Sequence, residues 1–204
     1  MKKIILLITL VFSINIISAQ STFNKPLADL LDTIYNEDQG GRHQLNELQK
    51  QYGWQSEQVQ SLMKKIMRQD SVNLVRVKKI IDTYGWPGPE EVGRQGTQTV
   101  FLVIQHSDSL TQVTYFPVMQ DAVTKGKAEA AELALLEDRI LMKQGKEQIY
   151  GSQLQIGKNG KYEFYPIQDE PNVNKRRASV GLEPIEDYAK RFDLIYTLSQ
   201  QKEQ

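Results

Sequence analysis

The sequence lacks cysteine altogether, and its 204 residues include only two histidines. The absence of cysteine excludes disulfides, thiol nucleophiles, iron–sulfur clusters, cysteine-ligated zinc and a cysteine-linked lipid anchor. An excess of charge is also missing, because 25 Lys and Arg balance 25 Asp and Glu. A neutral chain gives no electrostatic reason to bind nucleic acid, so we expect no nucleic-acid partner.

Long apolar runs are absent too, except at the N-terminus. Lys2 and Lys3 precede an apolar stretch over residues 4–17, and Ser18 and Ala19 follow it. This order predicts a secretory signal peptide over residues 1–19. The run is shorter than the about 20 apolar residues that span a bilayer, so we expect no membrane span in the mature chain. The expected location is exported, either periplasmic or secreted.

The hydrophobic pattern predicts a mainly α fold. We expect one helical domain over residues 20–198, with one β-hairpin in its C-terminal half and a frayed tail over residues 199–204. Leu27, Leu31 and Ile34 belong to the apolar stripe of a first helix, which Gly40 and Gly41 are expected to end. A second, shorter helix should then run to residue 52.

Capping residues predict where the next helices begin. Ser56 is the expected N-cap of a third helix, and Asp70 or Ser71 of a fourth. The Gly- and Pro-rich residues 85–89 must interrupt the helical pattern. Trp86, within that break, is either a stacking surface for a ligand or a plug in the core.

The second half of the chain combines helices with a hairpin. Residues 100–104 are apolar, and we favour helix over strand because no partner strand pattern lies nearby. Pro117 should open the next helix, and residues 127–144 form a strong alanine- and leucine-rich helix. A short helix is expected over residues 173–180, and Pro184 should start the last helix, with Ile195 facing inward.

Alternation after residue 150 predicts two strands joined at residues 158–160. In the expected register, Ile156 lies opposite Tyr162 and Leu154 lies opposite Phe164.

Asp138 is a carboxylate on an apolar helix face, next to Ala134, Leu135 and Leu141. A buried carboxylate is costly unless it is paired or hydrogen-bonded, so either an ion pair with an arginine or a catalytic role is expected. Arg139 is one of the possible partners.

His106 follows an apolar helical stretch and is the stronger catalytic candidate of the two histidines. Asp108 lies close enough in sequence to bind an imidazole nitrogen and fix its tautomer, so His106, Asp108 and Asp138 are the candidate catalytic residues. His106 and Asp138 should lie near Tyr150, because buried polar groups need polar neighbours. Motifs for metal sites, phosphate-binding loops and nucleophile elbows are absent from the sequence, so no metal and no cofactor are expected.

Taken in order, the polar motifs of the chain resemble an uncharacterised bacterial domain-of-unknown-function family that is often found behind signal peptides. The motifs are Asp38-Gln39 with Arg42, Asp70-x-x-Asn73, Gly85-Trp86-Pro87 with Val92-Gly93, Gln105-His106-x-Asp108, Asp138-Arg139, Gly145-x-x-Gln148-x-Tyr150-Gly151-Ser152-Gln153, and Arg176-Arg177 through Gly181-Leu182. The chain departs from the family pattern at Ser152, where Thr is usual, and at the Gly40-Gly41 pair.

The resemblance implies that these polar positions form one site, and it implies no reaction. The candidate ligand-binding residues are Asp38, Arg42, Gln105, Arg139, Gln148 and Tyr150. Three functions remain open. The first is a binding module for a small molecule, peptide or glycan, the second is an envelope hydrolase with His106 as general base, and the third is a structural polar network without a ligand.

Overall fold

The computed structural model describes residues 23–158 and 160–198. The predicted signal peptide and C-terminal tail lie outside the described residues, as does Asn159 in the hairpin loop. Over the described residues the predicted mainly α fold is confirmed, with seven α-helices and one two-stranded antiparallel hairpin. The elements are α1 (Lys25–Tyr52), α2 (Glu57–Tyr84), α3 (Pro89–Gln105), α4 (Ser109–Thr124), α5 (Ala130–Lys143), β1 (Leu154–Ile156), β2 (Tyr162–Phe164), α6 (Val173–Ser179) and α7 (Ile185–Lys190).

The core lies where α1 packs against both α2 and α3, and where α4 packs against α5. Leu31, Ile34, Val77, Val100 and Ile104 are fully buried there. Their burial confirms the helical interpretation of residues 100–104, which form the second half of α3. None of the helices in the described part of the chain is long and apolar enough to cross a membrane.

The predicted break at Gly40 and Gly41 is wrong, because α1 continues through both residues. A Cβ on Gly41 would lie 2.8 Å from Cγ1 of Ile66 in α2, whereas nothing lies within 4 Å of a Cβ on Gly40. Gly41 therefore permits a close approach of α1 and α2 rather than ending a helix. Since α1 is continuous, it carries Asp38 into the interior and places Arg42 one turn further along.

The predicted start at Asp70 or Ser71 is also wrong, since both residues lie in the middle of α2. The start at Ser56 is confirmed, and its hydroxyl accepts a hydrogen bond from the Val59 amide at 3.4 Å. The break after α2 is present as expected. Trp86 plugs the core there, with 4% of its surface exposed and its indole N–H donating to Thr97 at 3.3 Å.

Helix α4 begins eight residues before Pro117, which lies inside the helix. Asp108 explains the difference, because its Oδ1 accepts from the Thr111 amide at 2.9 Å and caps the helix. A side-chain cap thus sets the start of α4, and the helix accommodates the proline.

The hairpin register is confirmed, with Leu154 opposite Phe164 and Ile156 opposite Tyr162. Its face packs on aromatic residues, since the Phe164 ring lies 4.8 Å from that of Tyr196. The expected inward position of Ile195 is wrong, because 96% of its surface is exposed. Helix α7 ends at Lys190, so the helical spacing used to place Ile195 stops applying there.

Candidate functional site

The end of α3 brings His106 against Asp38 in the middle of α1. Asp38 is 1% exposed, and its Oδ1 lies 3.1 Å from Nδ1 of His106. Burial opposes a charge on this carboxyl, but the hydrogen bond and charge of His106, together with Arg42 and Gln39, outweigh it and hold the pKa of Asp38 below its usual value. A charged carboxylate can only accept, so Nδ1 is the donor in this pair.

Arg42 connects the Asp38–His106 pair to α2. Its guanidinium donates to both carboxylate oxygens of Asp70, at 3.0 and 2.9 Å, in a bidentate ion pair. The same group lies 3.3 Å from Oδ1 of Asp38. A continuous chain of polar contacts therefore runs from Asp70 through Arg42 and Asp38 to His106, and it joins three helices.

A surface pocket of about 330 Å³ lies in front of His106. It is lined by Met67, Asp70, Ser71, Leu74, His106, Ser107 and Asp108. The His106 side chain is 18% exposed, and its Nε2 has no hydrogen-bond partner among the described residues. Both serine hydroxyls are committed, since Ser71 donates to the Met67 carbonyl at 2.9 Å and Ser107 to the Ile104 carbonyl at 2.7 Å.

Asp108 lines the same pocket but does not bind the imidazole, which corrects the role expected for it. Its two carboxylate oxygens accept from the amide and the hydroxyl of Thr111, at 2.9 and 2.8 Å. These bonds lower the pKa of Asp108. The residue that orients His106 is Asp38, which lies 68 positions away along the chain.

Asp138 has a different environment from the one expected. It is fully buried, and its oxygens accept from three backbone amides, those of Ile149 at 2.7 Å, Tyr150 at 3.0 Å and Ser152 at 2.9 Å. The expected ion pair with an arginine is wrong, because no such pair with Asp138 exists among the described residues. Backbone donors satisfy the carboxylate instead.

Gln148 stabilises the same loop from its other side. It is fully buried, and its side-chain amide donates to the carbonyls of Gln153 at 3.0 Å and Tyr165 at 2.8 Å. Its amide oxygen accepts from the Gln153 amide at 2.8 Å. All the polar atoms of this side chain are therefore used in holding the backbone.

Arg176 and Arg177 also bind the backbone of this loop. Arg177 is 1% exposed and donates to the carbonyls of Glu183 at 2.6 Å and Tyr150 at 2.7 Å. Arg176 donates to the Ile149 carbonyl at 2.8 Å. We call Asp138, Gln148, Arg176 and Arg177 the loop clamp, because together they fix residues 148–153.

Tyr150 takes part in the clamp through its main chain, which donates to Asp138 and accepts from Arg177. Burial, together with the charges of Glu137 and Asp138, raises the pKa of its phenol. The next residue, Gly151, has a φ of 67°, and a Cβ there would lie 2.6 Å from Cδ1 of Ile185. The Tyr-Gly-Ser sequence thus fits a tightly packed turn.

Arg139 links the two polar regions. Its Nη1 donates to the Gln105 carbonyl at 3.3 Å, and its Nε donates to Oε1 of Gln153 at 3.2 Å. Gln105 is 6% exposed, and its side-chain oxygen has no partner among the described residues.

The structure therefore separates the candidate residues into two groups. Asp38, Arg42, Gln105 and His106 lie together, with Asp108 at the pocket and Arg139 beside Gln105. The remaining three, Asp138, Gln148 and Tyr150, belong to the loop clamp and its loop. In the described part of the chain, no three His, Asp or Glu side chains gather as metal ligands.

Asp70 belongs to a motif of the resemblance but is not among the candidate catalytic or ligand-binding residues, because its position in the sequence also suits a helix cap. Its partner Arg42 lies 28 positions earlier, so no local pattern connects them. The available signal was the Asp70-x-x-Asn73 spacing, which places two polar residues on one helix face. Asn73 is fully buried, and its side-chain nitrogen has no partner among the described residues.

Comparison with curated proteins gives no match, and comparison with solved structures gives none either. Residues 25–201 match a family of unknown function, DUF6624, which supports the resemblance to a domain of unknown function. This match covers nearly all of the described residues. The chain therefore belongs to the DUF6624 family.

Proposed function

We propose that this protein is a hydrolase in which His106 acts as a general base on a ligand held in the pocket between α2 and the α3–α4 turn. The observation that carries the proposal is the bond from Nδ1 of His106 to buried Asp38, with Nε2 uncommitted. In the neutral imidazole the proton is on Nδ1, so Nε2 keeps a lone pair that can accept a proton. A carboxylate behind the imidazole stabilises the imidazolium that forms.

The chemical step uses water as the nucleophile. Nε2 takes one proton from a water molecule, and the resulting hydroxide attacks an electrophilic carbon or phosphorus of the ligand. The bond between the attacked atom and the leaving group then breaks, and the imidazolium gives its proton to the leaving group, so the site is restored. Water fits this role because Ser71 and Ser107 both donate their hydroxyl protons to main-chain carbonyls and neither is aimed at His106.

Arg42 has a supporting role in this proposal. Its charge helps to keep Asp38 ionised, and Asp70 holds it in place through two hydrogen bonds. Arg42 and Asp70 are therefore positioning residues that act through Asp38.

A second candidate function is a binding module without chemistry. It is favoured by apolar surface in the pocket, whose lining includes Leu74 and Met67, and Met67 is 64% exposed. Such side chains suit an amphipathic small molecule, peptide or glycan. In this alternative His106 supplies a hydrogen bond to the ligand instead of accepting its proton.

We also propose that the protein acts after export, in the periplasm or outside the cell. The support is the order of basic, apolar and small residues at the N-terminus of the sequence. Sequencing the N-terminus of the protein from the envelope and medium fractions tests this proposal. Processed protein that begins at Gln20 is expected, and a full-length protein in the cytoplasm contradicts it.

The hydrolase proposal is tested with p-nitrophenyl acetate and p-nitrophenyl phosphate as probes. We expect hydrolysis of at least one probe above the buffer rate, and a loss of about 10²–10⁴-fold in His106→Ala. His43→Ala is the matched control, because His43 is exposed and the activity should be unchanged. If neither probe is hydrolysed faster by the wild-type protein than by His106→Ala, the hydrolase proposal is wrong.

A further inference from the structure

The turn that carries His106 is held by the side chain of Gln112, which lies near the start of α4. This side chain is fully buried, and its Nε2 donates to the carbonyl of Gln105 at 2.8 Å and to the carbonyl of Ser107 at 3.1 Å. Gln105 and Ser107 are the residues on either side of His106 in the chain. One amide nitrogen therefore bridges the two carbonyls that flank His106.

These two carbonyls lie where α3 ends, and neither accepts a hydrogen bond from a backbone N–H among the described residues. His106 is the C-cap of α3, with a φ of −89° and a ψ of −3°, so the regular hydrogen bonding of the helix stops there. Carbonyls at the end of a helix are commonly bound by water or by a capping motif. Here side chains of other helices bind them, which ties the backbone around His106 to α4 and α5.

Two cations of α5 donate to the same carbonyls. Arg139 donates to the carbonyl of Gln105 at 3.3 Å. Lys143 donates to the carbonyl of Ser107, also at 3.3 Å. Each carbonyl oxygen can accept two hydrogen bonds, so both carbonyls are fully used. Gln112 makes the shorter bond to each of them and is therefore the main restraint on the turn.

The amide group of Gln112 is only half used. Its nitrogen makes two hydrogen bonds, whereas its buried oxygen has no partner among the described residues. Gln148 in the loop clamp differs, because its amide nitrogen and its amide oxygen are both bonded. An unpaired buried oxygen lowers stability, so stability alone does not account for a glutamine at position 112.

We propose that Gln112 is a positioning residue for His106. The inference rests on the proposed function for the reaction that His106 performs. Because a peptide group is rigid and planar, holding the two flanking carbonyls fixes the direction in which the imidazole leaves the main chain. That direction keeps Nδ1 at 3.1 Å from Oδ1 of Asp38, so the proton stays on Nδ1 and Nε2 can accept another.

The test compares Gln112→Met with its matched control, Gln148→Met. Each substitution replaces a fully buried glutamine by a side chain of similar size and removes a nitrogen that binds two carbonyls. We expect both variants to be less stable than the wild type. Only Gln112→Met should lower kcat for the nitrophenyl probes per folded molecule, by about 10–100-fold. KM should stay nearly constant, because Gln112 does not line the pocket.

A second measurement does not depend on hydrolysis. A long-range ¹H–¹⁵N correlation spectrum shows which imidazole nitrogen of His106 carries the proton. We expect Gln112→Met to give a mixture of Nδ1–H and Nε2–H forms, and Gln148→Met to give the wild-type spectrum. If Gln112→Met does not fold, Gln112→Asn is the milder variant, because it keeps the amide but shortens the side chain by one methylene, and the same changes are expected.

The inference is overturned if the Gln112 and Gln148 variants have the same kcat per folded molecule and the same His106 spectrum, since Gln112 is then only structural. Hydrolysis that depends on His106 but not on Gln112 also overturns it, and leaves the hydrolase proposal standing. If the wild-type protein hydrolyses neither probe, the hydrolase proposal fails and the spectra decide the inference. A change of tautomer confined to the Gln112 variant then supports it, and an unchanged tautomer overturns it.

Discussion

The two polar regions of this molecule differ in how completely their groups are satisfied. In the loop clamp, the buried side chains of Asp138, Gln148 and Arg177 direct their polar atoms at backbone groups. At the His106 site, His106 lines a pocket and its Nε2 has no hydrogen-bond partner among the described residues, and neither has the buried side-chain oxygen of Gln105. Complete satisfaction is typical of structural networks, whereas uncommitted polar atoms beside a pocket are typical of sites that bind.

The largest expected effect is in the clamp. Asp138→Ala leaves three backbone N–H groups without an acceptor, so we expect the free energy of unfolding to fall by about 3–5 kcal/mol. Asp138→Asn keeps one acceptor oxygen and should lose about half as much. Urea unfolding of both variants measures the difference. An Asp138→Ala variant as stable as the wild type would show that the loop clamp does not stabilise the fold.

Glu132 gives the protein a pH-dependent stability that comes from neither the loop clamp nor the His106 site. Burial, reinforced by the charge of Glu129 and opposed by a hydrogen bond to Gln98, raises the pKa of Glu132 from 4.5 to about 7. Between these values the folded protein holds a proton that the unfolded chain has released, so stability should fall as the pH rises from 4.5 to about 7.

Glu132→Gln removes this contribution and should raise stability above pH 7 by about 1–3 kcal/mol, with little effect near pH 4.5. Thermal melts across this range test it. Glu147→Gln is the control, because Glu147 is exposed and the pH dependence should stay as in the wild type. An unchanged pH dependence in Glu132→Gln contradicts the assignment.

Asp38→Asn tests the other region. Asn keeps an acceptor for His106, and Arg42 keeps its two bonds to Asp70, so we expect a loss of only about 1–2 kcal/mol. Hydrolysis of the nitrophenyl probes should nevertheless fall about as far as in His106→Ala. Folded Asp138→Asn, by contrast, should retain its activity per folded molecule. If Asp38→Asn and Asp138→Asn have equal activity per folded molecule, the His106 site and the loop clamp do not differ in function.

The smallest effect concerns the helix that carries Asp38. Gly41→Ala places a Cβ 2.8 Å from Ile66 and should lower stability by about 1 kcal/mol, despite the better helix propensity of alanine. Gly40→Ala meets nothing within 4 Å and should raise stability by up to about 1 kcal/mol. Opposite signs in thermal melts support a continuous α1, and stabilisation by both substitutions argues against close packing at Gly41.

The sequence predicted local structure well where short-range chemistry decides it. The hairpin register follows from alternation and a glycine in the loop, and Ser56 caps α2 as its side chain suggests. The prediction at Gly41 is wrong, because a single sequence does not distinguish a glycine that ends a helix from a glycine that lets a neighbouring helix pack closely. The helix start predicted at Pro117 is wrong because the side-chain cap at Asp108 determines where α4 begins.

The site could be predicted in its residue types but not in its pairings. His106 and Asp138 were recognised as polar residues on apolar faces, and both contact buried groups. The partners of these two residues could not be predicted. Asp38 is 68 positions from His106 in the chain, and any residue type except proline supplies a backbone amide like those that bind Asp138. Only the tertiary fold shows that Nε2 of His106 has no hydrogen-bond partner among the described residues, whereas both carboxylate oxygens of Asp138 accept hydrogen bonds.

The tautomer of His106 is the most direct measurement of the central claim. A long-range ¹H–¹⁵N correlation spectrum separates Nδ1–H from Nε2–H imidazoles, and His43 provides an exposed reference in the same sample. We expect neutral His106 to carry its proton on Nδ1, which faces Asp38, and to have no proton on Nε2. A proton on Nε2 of neutral His106 in the wild-type protein would contradict this prediction, because Nε2 could then not accept a proton from water in the pocket.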